Sequence, residues 1–175
     1  MALTQQQMHQ YLAIMLEHFL QLTLEKPSHV LSYIPMPERN EVTPQYFEET
    51  LREVFPYYQL CYPKTDFKLH LMEAVAHDDD MQTATTQFGV TEPVNGNVIP
   101  TELIDIIFVP LAAFDKKGYR VGYGKGFYDR FIPRCRQNVV TIGLSFFEAV
   151  DEITDATQFD IPLKYCITPR QLYEF

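Results

Sequence analysis

The chain has 175 residues, a formal net charge of −9 and 46% hydrophobic residues, which fits one domain with a substantial core. The negative charge excludes general affinity for nucleic acid or for an anionic membrane surface, and no apolar run reaches membrane-spanning length. Three scattered cysteines, Cys61, Cys135 and Cys166, exclude a disulfide framework and show no zinc-ligand spacing. A soluble cytoplasmic monomer is expected, with no signal peptide and with 1–175 as a single domain.

Residues 4–24 carry Met8, Tyr11, Leu12, Met15, Leu16, Phe19 and Leu20 at three- and four-residue spacing, which predicts an amphipathic helix. Thr4 is its expected N-cap, with Gln7 closing a capping box, and Pro27 ends it. Residues 29–34 predict a short strand, and Pro35-Met36-Pro37-Glu38-Arg39-Asn40-Glu41 a polar loop at its C-terminal end. Ligands of open α/β sheets bind at that end. Thr43-Pro44 supplies N-cap and N1 residues for a second helix. It reaches about residue 55, with Tyr46, Phe47, Leu51, Val54 and Phe55 on the buried side. Residues 57–62 predict a strand closed by Pro63.

Residues 67–75 alternate apolar and polar at Phe67, Leu69 and Leu71, as a strand exposed on one face does. His77-Asp78-Asp79-Asp80 reads as a solvated turn more readily than as a metal site, because only alternate side chains converge. Residues 81–87 form a polar connector, 88–93 a turn and 94–101 a loop. Ile104-Asp105-Ile106-Ile107-Phe108-Val109-Pro110 predicts a buried strand. Residues 127–135 predict a helix, 139–146 a buried strand, 147–157 a short helix or loop, and 165–168 a last strand, with Asp160 in the loop before it. No internal repeat or low-complexity tract is present. The expected fold class is α/β, a three-layer sandwich with a mixed, mainly parallel central sheet.

Between the strand at 104–110 and the helix at 127 runs Arg120-Val121-Gly122-Tyr123-Gly124-Lys125-Gly126-Phe127-Tyr128-Asp129-Arg130. It holds three of the seven glycines. Strand, glycine-rich loop and helix start together present unpaired N–H groups to phosphate. Lys125 offers a point charge and Arg120 a bidentate contact. The spacing is neither the dinucleotide nor the P-loop fingerprint, and a tight structural turn is the competing reading. Asp129 either compensates the helix dipole or holds magnesium beside a nucleotide phosphate. Phe127 and Tyr128 suit stacking on a flat heterocycle or packing in the core, and helical spacing points one inward and the other outward. None of His9, His18, His29, His70 and His77 has a metal-like partner at i+4, and no nucleophile elbow or cysteine–histidine constellation stands out. What remains is a site that aligns a nucleotide and an acceptor, as phosphoryl transfer requires.

Asp105-Ile106-Ile107-Phe108-Val109-Pro110, Phe114-Asp115, Gly118 and the 120–130 stretch together resemble the signature of the 5-formyltetrahydrofolate cyclo-ligase (5,10-methenyltetrahydrofolate synthetase) family. That pattern runs Asp-hydrophobic-Pro-Gly-x-x-Phe-Asp, then Gly-x-Arg-Leu-Gly-x-Gly-x-Gly-Tyr-Tyr-Asp. Val121 and Phe127 are mild departures, and Leu111 or Ala112 stands where glycine is usual after the proline. Gly89-Val90-Thr91-Glu92-Pro93 is similar to the family's Gly-x-x-Glu-Pro step. Gln158-Phe159-Asp160 resembles its C-terminal motif ending in Asp, and Thr168 fits the final strand.

The resemblance implies ATP- and Mg2+-dependent conversion of 5-formyltetrahydrofolate to 5,10-methenyltetrahydrofolate, with release of ADP and phosphate. In that chemistry the formyl oxygen attacks the γ-phosphate, N10 closes the ring and phosphate leaves. Carried over by position, Arg120, Val121, Gly122, Tyr123, Gly124, Lys125, Gly126, Phe127 and Tyr128 line the ATP site, with Lys125 and Arg120 as catalytic cations. Tyr123 to Phe127 also border the folate, with Ile34 and Glu41 as its contacts after the first strand, Glu38 competing with Glu41. Asp129 and Asp160 hold magnesium. Family members usually begin with a Lys/Arg-bearing helix that contacts the ATP phosphates, whereas here no basic residue precedes Lys26. Weak or absent turnover of the 175-residue chain is therefore expected, and the alternative is a folate- or nucleotide-binding homologue with impaired catalysis. A phospho-sugar-binding regulatory domain on a similar scaffold is a third reading.

Overall fold

The computed structural model describes residues 3–122 and 125–175. The first helix, α1, spans Gln5–Phe19. Its capping box forms as the sequence predicts: the Gln7 N–H donates to the Thr4 hydroxyl at 3.2 Å, and the Thr4 N–H donates to Gln7 Oε1 at 2.9 Å. The helix stops well before Pro27. The N–H groups of Gln21 and Leu22 turn to the carbonyls three residues back, those of His18 and Phe19, which tightens the chain out of the helix.

Strand β1 is His29–Leu31 and helix α2 is Gln45–Val54. Pro44 caps α2 without a side-chain bond, and Phe47, Glu48 and Leu51 are its buried residues. Tyr46 and Val54 are exposed, not buried as expected. The core-facing stripe follows 47, 48 and 51, and the carboxyl of Glu48 is taken in because Ser32 and Tyr62 donate hydroxyls to it.

Strand β2, Gln59–Asp66, runs through Pro63 rather than ending there. The N–H groups of Gln59 and Thr65 both point to the β1 side, onto Ser28 and Glu92. Pro63 shares that side, and pairing with β1 ends at Cys61, so its missing donor interrupts nothing. Residues 67–70 form a turn that Asp66 caps by accepting from Lys68 and Leu69, and β3 is the shorter Leu71–Ala76.

The segment read as connector, turn and loop contains short strands: β4 Thr83–Thr85, β5 Thr91–Pro93 and β6 Val98–Ile99. Strand β7 is Ile106–Val109. A small hairpin that periodicity does not reveal follows, β8 Ala113–Phe114 with β9 Arg120–Val121. Helix α3 covers only Phe127–Phe131 and passes into a 3-10 turn at Ile132–Arg134. Strand β10 is Val140–Leu144, β11 Tyr165–Ile167 and β12 Leu172–Glu174.

The main sheet orders its strands β12-β11-β10-β7-β1-β2-β3-β6. The run from β11 to β2 is parallel, and β12, β3 and β6 join antiparallel. Val30, Ile106 and Phe108 face one apolar layer with Leu12, Met15, Phe19, Phe47 and Leu51 of α1 and α2. Leu31, Ile107 and Val109 face the other, with Phe114 and Phe131. Period-two alternation on a sheet covered on both faces gives the three-layer α/β sandwich. Among the described residues no helix is long and apolar enough to cross a membrane.

Chain direction across the sheet reverses between β1 and β7. From β1 the chain moves to β2, and from β7 it moves the other way to β10 and β11. Such a reversal leaves a crevice beyond the carboxyl ends of the two strands.

Candidate functional site

A cavity of about 640 Å³ opens at that crevice. Tyr33, Ile34, Met36, Arg39 and Glu41 line it from beyond β1, Pro63 and Thr65 from β2, and Pro110 from beyond β7. Arg120 to Gly122 and Lys125 to Arg130 also line it, as do Phe67, Phe88 and Glu92, and Ile153, Asp155, Ala156 and Asp160 from the loop before β11. The glycine loop, the loop after β1 and Asp160 therefore share one chamber. Tyr123 and Gly124 lie outside the described residues.

Asp115 builds the frame of the glycine-loop wall. Fully buried, it accepts from the N–H groups of Lys117 and Tyr119 through Oδ1 and of Ile153 through Oδ2, at 2.9, 3.0 and 3.0 Å. The first two shape the turn of the β8–β9 hairpin, and the third fastens the 153–161 loop to it. Arg120 leaves the hairpin with its guanidinium on Asp129 at 3.0 Å and on the Ile161 carbonyl. Asp129 Oδ1 in turn accepts the Ile161 N–H at 3.0 Å. Arg120 and Asp129 thus hold both faces of the backbone at Ile161, and Asp160 is carried to the cavity beside them.

Asp160 itself accepts the N–H and hydroxyl of Thr157 at 2.6 and 2.8 Å. The Thr157 N–H, followed by its hydroxyl, holds the Asp160 carboxyl below the usual carboxylate range. Asp129 and Asp160 are both partly exposed on the cavity. Among the described residues no group of three or more metal-ligating side chains exists. Two carboxylates fit magnesium, which takes one or two and completes its octahedron with water and substrate phosphate oxygens.

Gly126 caps α3 in the left-handed region at φ +61°, and a Cβ there would come within 3.0 Å of Arg130 Nη1. Its neighbour Lys125 is exposed, with Nζ 5.5 Å from the centre of the Phe88 ring. Arg130 is turned to the carbonyls of Lys125 and His70, so it shapes the loop from behind. Phe67 stands against Phe88 and Phe127, at centroid distances of 4.3 and 5.1 Å, giving the cavity an aromatic wall.

Of the two glutamates in the loop after β1, Glu38 is exposed and Glu41 is 8% exposed and lines the cavity. Glu41 Oε2 accepts the Met36 N–H at 2.6 Å. Glu92 is a buried cavity residue that sequence reasoning left in a turn. Its carboxylate accepts the hydroxyl and N–H of Thr65 at 2.6 and 3.1 Å, a pairing across the sheet edge that no local pattern announces. The Tyr128 hydroxyl is buried without a hydrogen-bond partner among the described residues. Burial, then the nearby Glu41 carboxylate, raises its pKa well above the normal phenol range. Asp105, prominent in the signature, lies at the opposite end of the sheet. It accepts from the N–H groups of Ser28 and His29 and from Arg136, and so fixes the start of β1.

These features define a switch-point α/β protein whose chamber joins a glycine-rich loop to a carboxylate-bearing loop across the sheet reversal. The chain belongs to the 5-formyltetrahydrofolate cyclo-ligase family, whose profile matches residues 1–169. A 5-formyltetrahydrofolate cyclo-ligase of Haemophilus influenzae is 36% identical over 100 residues, covering 55% of this chain and 54% of the relative. The Mus musculus relative of the same name is 30% identical over 115 residues, covering 59% and 57%. The chain thus spans little more than half the length of these relatives. The solution structure of an Aquifex aeolicus 5,10-methenyltetrahydrofolate synthetase superimposes with a TM-score of 0.71 at 26% identity, over 97% of this chain and 81% of that one. A Mycoplasma pneumoniae 5,10-methenyltetrahydrofolate synthetase shares the fold, with a TM-score of 0.72 at 24% identity over 95% and 89%.

Proposed function

We propose that the protein converts 5-formyltetrahydrofolate to 5,10-methenyltetrahydrofolate at the expense of ATP, with Mg2+, releasing ADP and phosphate. The observation that carries the reading is that Lys125, Asp129 and Asp160 line the same chamber as Ile34 and Glu41. Family membership supplies the reaction class. Lys125 neutralises phosphate charge from the loop, and Arg120 shapes the same wall by holding Asp129. Tyr123 and Gly124 belong to the loop between them. Asp129 and Asp160 would hold magnesium, which supplies charge neutralisation at the phosphates. Ile34, Phe127 and the aromatic wall receive the pterin, and Glu41 accepts from its N–H groups. The formyl oxygen takes the γ-phosphoryl group, N10 then closes the ring, and phosphate leaves. The residues contribute alignment and charge, which is where phosphoryl transfer draws its rate. The protein is proposed to work as a cytoplasmic monomer.

The test is formation of 5,10-methenyltetrahydrofolate with protein in excess over folate. Product is expected with ATP and Mg2+ together and not when either is omitted. Lys125→Ala and Asp129→Ala are expected to reduce its rate by about a hundredfold or more, as removal of electrostatic partners of a transferring group does. Absence of product from the parent protein refutes the reading.

A further inference from the structure

We propose, resting on the folate reading above, that Glu92 is a positioning residue: its carboxylate clasps the β4–β5 hairpin to β2 and thereby sets Phe88, and with it the aromatic wall that receives the pterin.

The hairpin cannot place itself. Its strands are three residues each, Thr83–Thr85 and Thr91–Pro93, and they form a two-stranded sheet of their own. Strand β4 is exposed throughout. A lone two-stranded hairpin is marginal in water, so its position is decided by whatever docks it.

Glu92 supplies that docking. Its side chain reaches from β5 to the stretch of β2 beyond Cys61, where pairing with β1 has ended. There Glu92 Oε1 accepts the Thr65 hydroxyl at 2.6 Å and Oε2 the Thr65 N–H at 3.1 Å. The carboxylate takes the place of the missing strand for that N–H group. Two bonds to one residue fix the direction of β5 as well as its position. A carboxylate only 6% exposed is stable there only with such partners.

Both sides of the clasp line the chamber, Pro63 and Thr65 from β2, and Phe88, Val90 and Thr91 from the hairpin. At the hairpin tip the Gly89 N–H donates to the Thr86 carbonyl and the Thr86 N–H to the Val90 carbonyl, and this turn presents Phe88. The Phe88 ring lies 4.3 Å from that of Phe67, which meets Phe127 edge-on at 5.1 Å. Lys125 Nζ is 5.5 Å from the centre of the Phe88 ring. A hairpin released at Glu92 withdraws the outer ring of a wall that runs from Phe88 through Phe67 to the start of α3. Glu92 thus acts on the ligand through Phe88.

The chain has no tryptophan, so Phe88→Trp places a single fluorescent reporter at the hairpin tip. In that background Glu92→Leu, which keeps the bulk and removes both acceptors, is expected to shift the emission to the red and to raise quenching by acrylamide. Glu92→Gln, whose amide can accept from the Thr65 N–H and donate to its hydroxyl, is expected to keep the original emission. With Phe88 in place, single-turnover product formation with protein in excess reads the wall. In Glu92→Leu the half-saturating protein concentration is expected to rise about tenfold, the scale of one lost aromatic contact, while the limiting rate stays within about threefold. Glu92→Gln is expected to restore the parent's half-saturation. Thr65→Val, which removes one of the two bonds, is expected to move both readouts in the same direction by less. Unchanged emission in Glu92→Leu, or in Thr65→Val where the leucine variant does not fold, overturns the proposal. So does a glutamine variant that behaves like the leucine one, or a loss confined to the limiting rate. A parent that forms no product overturns the functional reading instead, and the emission of the tryptophan proteins then decides the clasp by itself.

Discussion

Replacing Asp129 by alanine strips the Arg120 guanidinium of its counter-charge and the Ile161 N–H of its acceptor. The Arg120 side chain is 5% exposed and that of Asp129 22%. Breaking a buried ion pair from one side costs about 3–5 kcal/mol, because the surviving charge stays buried and unpaired. The exposed part of Asp129 lets solvent screen the pair, which brings the figure to about 2–3 kcal/mol. At roughly 2–4 °C per kcal/mol for a chain of this size, the midpoint falls by about 4–12 °C. Arg120→Met leaves a carboxylate that still accepts from Ile161 and still meets water, so its cost is about 1–2 kcal/mol. The double variant should cost less than the sum of the two by about 1–2 kcal/mol, because one interaction is counted twice. Urea unfolding at neutral pH, fitted for midpoint and slope, measures all three. Additivity within about 0.5 kcal/mol would refute the reasoning, since it would mean that the pair does not act as a unit.

Glu48 is buried against Ser32 and Tyr62, and desolvation raises its pKa above the ordinary value despite those hydroxyls. A carboxyl raised on folding holds its proton in the native state after the unfolded chain has lost it. Stability therefore falls as pH rises from the ordinary carboxylate value through the raised one. Glu48→Gln, which keeps an acceptor for Ser32, should remove that decline in urea midpoints between pH 4 and pH 8, and a slope equal to the parent's would count against the account. Gly143 sits in β10 where an added Cβ would meet Leu111 Cδ2 at 2.6 Å and Leu163 Cδ1 at 2.7 Å. Gly143→Ala should thus destabilise by about 1–3 kcal/mol through overpacking, and a thermal midpoint equal to the parent's would contradict the packing described. Asp160→Ala should raise the Mg2+ concentration for half-maximal product formation about tenfold or more, the scale of one lost charge-assisted contact. An unchanged magnesium titration would remove Asp160 from the proposed metal site.

Local patterns foretold much of the layered fold. The spacing of Leu12, Met15 and Phe19 foretold α1, the Thr4–Gln7 pair its cap, and the apolar run through Ile106, Ile107 and Phe108 the central strand. Such signals are legible because helix and strand periods, capping and burial on both faces depend on near neighbours in the chain. Strand ends were less legible. Pro63 marks a break in isolation, yet it continues β2 because β1 has already stopped pairing there. The β8–β9 hairpin was not read at all, since its strands are too short for periodicity and Asp115 holds its turn.

The cavity residues divide in the same way. The 120–130 stretch drew attention by composition, and Asp129 by its place at a helix start. The sequence by itself determined the two long helices and the principal strands, their order, and the presence of a glycine loop with a carboxylate after it. Only the tertiary structure decided that Arg120 is held by Asp129 and Ile161, that Glu41 rather than Glu38 enters the chamber, that Glu92 is buried beside Thr65, and that the Tyr128 hydroxyl is left without a partner among the described residues. Each of these depends on which distant segments the sheet reversal brings together. Burial, charge pairing and hydrogen-bond satisfaction are properties of that meeting, and no residue carries them alone.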